Sequence, residues 1–443
     1  MTSVNVGLAK IALALTCAAA ASAANATLPI QQWRTTSGAQ VLFVETHDLP
    51  MLDLAVDFPA GVSRDTPDKS GAASLTLGLM RSGAGAFGED EISERLASIG
   101  ADMSGRFDMD RAGYGLRSLS SARERDEAVG LLAAVLQKPT FPKQIFEREQ
   151  QRTLAGLREA DTRPEVLADR EFRHLIYAEH PYSLRSSGEV ETAAKLRRED
   201  LVDFYRRHFT AEEAVVSIIG DLTRNEAGVI AEQLTVGLSR RSQPLPALPP
   251  IASLKTPLTS RIAHPATQAH ILIGQPGIKR LDPDYFVLFL GNHVLGGGGF
   301  ASRLNEEIRQ KRGYAYSTYS YFNPLALEGP FQIAVQTKKD QTDAALKVAQ
   351  DTLAKFVAEG PTQQELDAAK QNIIGGFPLR IDSNKKIQDY LSVIGFYRLP
   401  LTYLEDFPAK IEQLTLVQVK DAWRRRIHPE RMATVVVAGA DSR

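Results

Sequence analysis

The run Pro244-Leu245-Pro246-Ala247-Leu248-Pro249-Pro250, continuing to Pro257, cannot sit inside a packed core. Each proline fixes its own φ and lacks a backbone donor, so a close series favours an extended, semi-rigid connector. The run divides a chain of 443 residues, too long for one average core, into portions of similar size. The expected organisation is a leader over residues 1–26, an N-terminal domain over 27–240, a Pro-rich linker over 241–257 and a C-terminal domain over 258–443.

The two portions follow a similar plan, which implies an internal duplication. The first opens with strands at Ala39–Val44 and Leu52–Phe58, the latter alternating faces. A small-residue helix follows at Ser70–Arg81, then a helix with Ile92, Leu96 and Ile99 on one face. Strands are predicted at Ala101–Phe107 and Ala112–Leu119, and helices at Ala122–Gln137, Lys143–Ala160, Pro164–Ile176 and Glu199–His208. The apolar strand Ala214–Ile219 closes this portion. The second repeats the order: a strand at Ala269–Gly274, helices at Tyr285–Leu295 and Ser302–Lys311, and strands at Tyr314–Tyr321 and Phe331–Gln336. Helices at Asp343–Ala358, Gln363–Ile374, Lys385–Tyr397 and Leu416–Arg425 precede the last strand, Ala433–Ala438. The fold class expected is α+β: two α/β sandwich domains, each a mixed sheet with packed helices.

Residues 1–26 read as a secretory leader. Lys10 precedes the apolar run Ile11–Ala21, and Ala21-Ser22-Ala23 is a small-x-small cleavage site. The run is short for a spanning helix, and no other segment reaches 18 apolar residues. The one cysteine, Cys17, lies within it. A lipoprotein would be acylated there, but Ala14-Leu15-Thr16 matches such a site poorly, so lipid anchoring is not expected. A cleaved chain has no disulfide and no thiolate metal ligand, which fits export to a bacterial periplasm.

Lys+Arg number 52 and Asp+Glu 53, so electrostatics supply no reason to expect nucleic acid as a partner. Gly83-x-Gly85-x-x-Gly88 fits a dinucleotide-binding expression, but it follows a helix instead of linking a strand to one, and a flexible connection is the expectation. Gly296-Gly297-Gly298-Gly299 has no Lys-Ser or Lys-Thr after it and is no Walker loop. It reads either as a helix stop and hinge or as a flexible loop beside a cleft. Among eight histidines, no pair is three or four apart, the spacing that places two ligands on one helix face. Glu179-His180 has apolar Ile176 where a second ligand would stand, and His180 precedes Pro181, so a loop is expected. No Gly-x-Ser-x-Gly elbow supports a serine nucleophile.

The segment Leu304-Asn305-Glu306-Glu307-Ile308-Arg309-Gln310-Lys311-Arg312-Gly313-Tyr314-Ala315-Tyr316-Ser317, with Gly296–Gly299 and Ser302-Arg303 before it, resembles the C-terminal signature of the insulinase/pitrilysin class of zinc peptidases. The likeness is to the mitochondrial-processing-peptidase type. His180-Pro181-Tyr182-Ser183 with Gly188 is similar to the class's His-Pro-Tyr-Gly segment, and Ser70-Gly71-Ala72-Ala73 stands where its zinc helix begins. The resemblance covers nearly the whole chain after the leader and implies a two-domain clamshell.

Active members carry His-x-x-Glu-His on that helix, two zinc ligands and a base. Ser74, Leu77 and Gly78 occupy the three places here: a poor ligand, a side chain that accepts no proton, and no side chain. The third ligand of the class, a glutamate, would fall within Thr153-Leu154-Ala155-Gly156-Leu157, which has no carboxylate. The resemblance therefore implies no metal in this chain and zinc in a partner. It also assigns Arg309 and Tyr316 to the arginine and tyrosine that reach the scissile region, where a guanidinium and a phenol donate hydrogen bonds to a peptide carbonyl gaining charge. A solvated helix charge and a half-buried strand residue are the ordinary readings of these two, and Tyr314 competes with Tyr316 as its neighbour on the same strand face. The expected role is a non-catalytic subunit of a heterodimeric zinc peptidase, paired with a zinc-bearing homologue and binding an unfolded or short peptide as an added strand. The alternative is a purely structural or assembly subunit; an autonomous peptidase with unusual ligands is the third reading.

Overall fold

A computed structural model describes residues 29–240 and 244–439. The leader, with Cys17, and linker residues 241–243 lie outside the described residues. The first sheet has six strands in the order β1 (Gln31–Arg34), β2 (Gln40–Glu45), β8 (Val215–Gly220), β3 (Met51–Phe58), β7 (Ala112–Leu119) and β6 (Asp102–Phe107). The second has five, in the order β11 (Ala315–Phe322), β12 (Pro330–Lys338), β10 (Gln268–Pro276), β13 (Ala433–Ala438) and β9 (Leu258–Ala263).

The duplication is visible in the strand pairing. In the first sheet β2 and β8 run parallel, and β3 is antiparallel to β8 and to β7. In the second, β9 and β13 run parallel, and β10 is antiparallel to β13 and to β12. The orders β2-β8-β3-β7-β6 and β9-β13-β10-β12-β11 therefore correspond strand for strand, and β1 is an addition to the first sheet. Both sheets are mixed, as the order of predicted elements requires.

The first half carries helices α1 (Ala72–Met80), α2 (Glu89–Ser98), α3 (Ala122–Gln137), α4 (Lys143–Ala160), α5 (Pro164–Tyr177), α6 (Val190–Ala193), α7 (Arg198–His208) and α8 (Arg224–Thr235). The second carries α9 (Tyr285–Asn292), α10 (Thr342–Glu359), α11 (Gln363–Gly375), α12 (Asn384–Tyr397), α13 (Tyr403–Glu412) and α14 (Leu416–Arg426). Among the described helices, none is long and apolar enough to cross a membrane.

Two helices cross between the halves. Helix α5 packs on β10 and β13 of the second sheet, burying Ala168, Phe172 and Ile176 against Leu272, Val435 and Val437. Helix α12 packs on β8, β3 and β2 of the first, and its Ile387 and Leu391 meet Val44 and Ile219. Their apolar positions recur at helical spacing, which gives each helix one buried stripe. The exchange explains why β3 is buried along nearly its whole length rather than on one face only. Asp53 and Asp57 lie on its second face; Arg117 pairs with Asp53 at 2.9 Å and Arg106 with Asp57 at 3.3 Å. A glycine makes room at each crossing: a Cβ on Gly395 would lie 2.6 Å from Val215 Cγ1, and one on Gly274 would lie 2.8 Å from Phe172 Cζ.

Three local expectations change. Gly83, Gly85 and Gly88 are not a flexible connection: β4 (Gly83–Ala84) and β5 (Phe87–Gly88) form a tight antiparallel hairpin, with Gly85 at φ +61°. The helix expected over Ser302–Lys311 is a widened turn of π type at Asn305–Gln310. The run expected as a loop at Gly296–Gly299 instead continues α9 through a second such turn, His293–Gly297, into a short 3₁₀ turn, Gly299–Ala301. These glycines pack closely, since a Cβ on Gly296 would lie 2.3 Å from Ser320 Oγ.

Candidate functional site

Helix α1 begins where the Asp65 carboxylate accepts hydrogen bonds from the Gly71 and Ala73 N–H groups, both at 2.8 Å. The carboxylate meets the positive end of the helix there. Burial pushes the Asp65 carboxyl up to about 7, although both N–H groups favour its anion. Along the helix, Ser74 is half-buried and its Oγ donates back to the Gly71 carbonyl at 3.3 Å. Leu77 is buried in the first core, and its carbonyl accepts from the Tyr114 hydroxyl. Gly78 is exposed, and a Cβ there would meet nothing within 4 Å. Thr153 and Leu157 of the neighbouring α4 offer a hydroxyl and an isobutyl group, and Gly156 offers nothing. These residues do not fit a zinc ion, which takes nitrogen, thiolate or carboxylate ligands. Among the described residues, no three His, Cys, Asp or Glu side chains converge to hold a metal.

His180 is a structural residue. Its Nδ1 accepts from the Tyr182 N–H and its Nε2 donates to the Pro249 carbonyl, each at 3.0 Å, which is the neutral tautomer. Burial lowers its pKa and keeps it so. The His180-Pro181-Tyr182-Ser183 segment thus clamps the Pro-rich linker. The Tyr182 hydroxyl continues the network, donating at 2.7 Å to the buried Asp110. Asp110 also accepts from the Tyr397 hydroxyl at 2.9 Å and from the Ala326 N–H at 2.8 Å, so one carboxylate joins both halves. The sequence pattern carries no signal for this junction, because its members lie far apart along the chain.

Arg309 and Tyr316 come together. Arg309 sits on the turn Asn305–Gln310, with its guanidinium carbon 4.7 Å from the Phe300 ring centroid and 5.1 Å from that of Tyr316. Gly313 turns the chain at φ +65°, and β11 then begins at Ala315. The register shifts between Ala315 and Ser317, so Tyr316 is the extra residue of a β-bulge and is 81% exposed. A bulge re-aims a side chain at a sheet edge. Tyr314 precedes the strand and packs half-buried against the second core, so it does not share the outward direction of Tyr316. Strand β11 is an edge of its sheet, and Phe300, 67% exposed, extends the aromatic surface beside it. Ser74, Leu77 and Gly78 belong to the other half of the molecule.

A cavity of about 940 Å³ lies between the halves, beside Thr153, Gly156 and Leu157. From the first half it is walled by Arg111, Arg163, Arg170, Arg173 and Arg185, and from the second by Arg280, Asn323 and Tyr397. A second cavity of about 620 Å³ follows β10, β11 and β12 past Tyr319 and Tyr321, and shares Glu165 and Asp169 of α5 with the first. The arginine lining was not anticipated; three of its members, Arg163, Arg170 and Arg173, fall at or near one face of a single helix and were the available signal.

Comparison with known proteins follows this geometry. Residues 40–185 match the model for insulinase (peptidase family M16), and residues 195–373 match that for the peptidase M16 inactive domain. The chain is 28% identical over 391 residues to the non-peptidase homolog YmxG of Helicobacter pylori, covering 86% of this chain and 87% of that protein. It is 26% identical over 329 residues to the uncharacterized zinc protease SCO5738 of Streptomyces coelicolor, covering 72% and 70% respectively. A crystal structure of a peptidase M16 inactive domain from Pseudomonas fluorescens superposes with a TM-score of 0.89 at 37% identity, covering 93% of this chain and 98% of that one. The periplasmic protease PqqL from Escherichia coli shares the fold, with a TM-score of 0.78 at 17% identity over 94% of this chain and 46% of its own.

Proposed function

The chain belongs to the insulinase peptidase family M16 as a member without the zinc motif, and from that premise we propose that it is the non-catalytic subunit of a heterodimeric zinc peptidase. One observation carries the reading. The helix expected to hold zinc is built for packing, with Leu77 in the core, while Arg309 and Tyr316 are paired on an exposed sheet edge. A chain with no use for peptide contacts has no need of a bulge that turns a tyrosine 81% into solvent. Zinc and the general base then reside in a homologous partner. This chain supplies hydrogen-bond donors to the substrate carbonyl from Arg309 and Tyr316, donors that stabilise charge as it develops. The naming of a similar protein as a non-peptidase homolog agrees with the loss of ligands here. The leader sequence places the pair outside the cytoplasm, in a bacterial periplasm.

The test is reconstitution. Purified chain is mixed with a zinc-motif homologue from the same source, and peptide cleavage is followed with wild type and with Arg309→Ala/Tyr316→Phe. Stimulation that the double variant abolishes supports the reading. Stimulation that it leaves intact removes the shared site, and assembly without any stimulation points to a purely structural subunit.

A further inference from the structure

Six guanidinium groups line the cavity between the halves, and five of them have carboxylate partners. Arg111 pairs with Asp108 at 2.8 Å, Arg173 with Asp169 at 2.8 Å and Arg185 with Asp161 and Glu189 at 2.9 Å. Arg170 reaches Glu189 at 3.1 Å, and Arg163 stands 3.9 Å from Glu165. Arg280 is different. Among the described residues it makes no ion pair, and its Nε is buried without a hydrogen-bond partner. The acids nearest in sequence are already taken: Asp284 by Arg425 and Arg426, and Asp282 by Arg426. What Arg280 has is a ring, its guanidinium carbon lying 5.2 Å from the Tyr397 centroid, while that of Arg111 lies 5.7 Å from the same ring.

A buried donor left unmade costs free energy that a ligand can recover. A guanidinium in a partly dry wall selects for a planar anion that takes two of its N–H groups at once. With the other five arginines answered by Asp108, Asp161, Glu165, Asp169 and Glu189, the cavity keeps one uncompensated positive charge, and it sits on Arg280. Deepening the subunit reading above, and resting on it for the peptide nature of the ligand, we propose that this cavity binds a peptide carboxylate and that Arg280 receives it. The carboxylate is either an acidic side chain or a chain end. The stacked Tyr319 and Tyr321 rings, with centroids 6.1 Å apart, offer the adjoining cavity an aromatic wall for the rest of such a peptide.

The probes are dye-labelled Gly/Ser decapeptides titrated against the whole chain alone, in low salt because exposed charge contacts are screened. One carries two Glu residues and an amidated end, its twin has Gln in their place, and a third is the Gln peptide with a free carboxylate. The expected result is that a carboxylate-bearing probe binds about tenfold tighter than the amidated Gln twin. Which probe does so assigns the carboxylate to a side chain or to the chain end. Arg280→Met is expected to erase the preference. Arg280→Lys, which keeps charge and bulk but loses the fork, should weaken it while leaving thermal unfolding unchanged. Equal binding of all three probes, no binding of any, or a preference that survives Arg280→Met in a folded protein would overturn the proposal. Because no partner is present, the outcome separates from that of reconstitution: a chain that binds carboxylates through Arg280 but never stimulates a zinc-bearing homologue loses only the subunit reading.

Discussion

The guanidinium of Arg309 stacks on the ring of Tyr316, 5.1 Å from its centroid, although one sits on a widened helical turn and the other on the bulge of an edge strand. Phe300 covers the other contact of the same guanidinium at 4.7 Å. No carboxylate competes for Arg309 among the ion pairs of the described residues, so its donors remain available to a substrate carbonyl.

The first prediction concerns this pair. Cation–π contacts at exposed sites contribute about 0.5–1 kcal/mol, so Arg309→Ala/Tyr316→Phe should barely move thermal unfolding. Partner-dependent cleavage should instead fall about a hundredfold or more, the scale seen when a transition-state donor is lost. Steady-state kinetics of the reconstituted pair, read beside a melting curve, separate the two effects.

The degenerate zinc positions should behave as structural residues. Leu77→Ala removes a side chain that is 5% exposed and should cost about 2–4 kcal/mol. Gly78→Ala places a methyl group in open space on a helix and should gain about 0.5–1 kcal/mol. Urea unfolding of both variants checks the pair of signs.

Glu365 gives a pH dependence. Burial works against its charge, but the two-point contact with Arg303 at 2.6 and 2.7 Å and the Thr362 N–H and hydroxyl outweigh it, drawing the carboxyl down to about 2. Its folded pKa is below the unfolded value, so its stabilisation is present above about 4.5 and is lost as pH falls toward 2. Glu365→Gln should cost about 1–2 kcal/mol at neutral pH, discounted because the group is partly exposed. The difference from wild type should vanish near pH 2, which denaturant titrations at several pH values would read.

The crossing of α12 over the first sheet depends on Gly395. A Cβ there would lie 2.6 Å from Val215 Cγ1 and 2.7 Å from Leu42 Cδ1. Gly395→Ala should cost about 1–3 kcal/mol through overpacking. It should also speed limited proteolysis within the Pro-rich linker, as the halves loosen; equal proteolysis would mean that the crossing does not hold them.

Much of the fold is legible in the chain because strands and amphipathic helices announce themselves locally. Met51–Phe58 alternates, and Ala122–Gln137 carries a helical stripe. The destination of a stripe is not local. Ile387, Leu391 and Ile394 mark a buried face on α12, but nothing in that spacing says that the face belongs to the first sheet. Helix α13 was hidden because Pro408 lies inside it, where proline normally argues against a helix. At the candidate site, the ordinary residues at positions 74, 77 and 78 are plain in the sequence. The Arg309–Tyr316 stack needs a bulge to form, and the Asp110 junction needs both halves folded, so both are properties of tertiary structure.

The most direct test of the central claim is zinc content and peptidase activity, measured for this chain alone and in complex with a zinc-motif homologue from the same source. The account predicts activity only in the complex, with zinc tracking the partner. Zinc and activity in the isolated chain would contradict it, because Ser74, Leu77 and Gly78 provide neither ligand nor base.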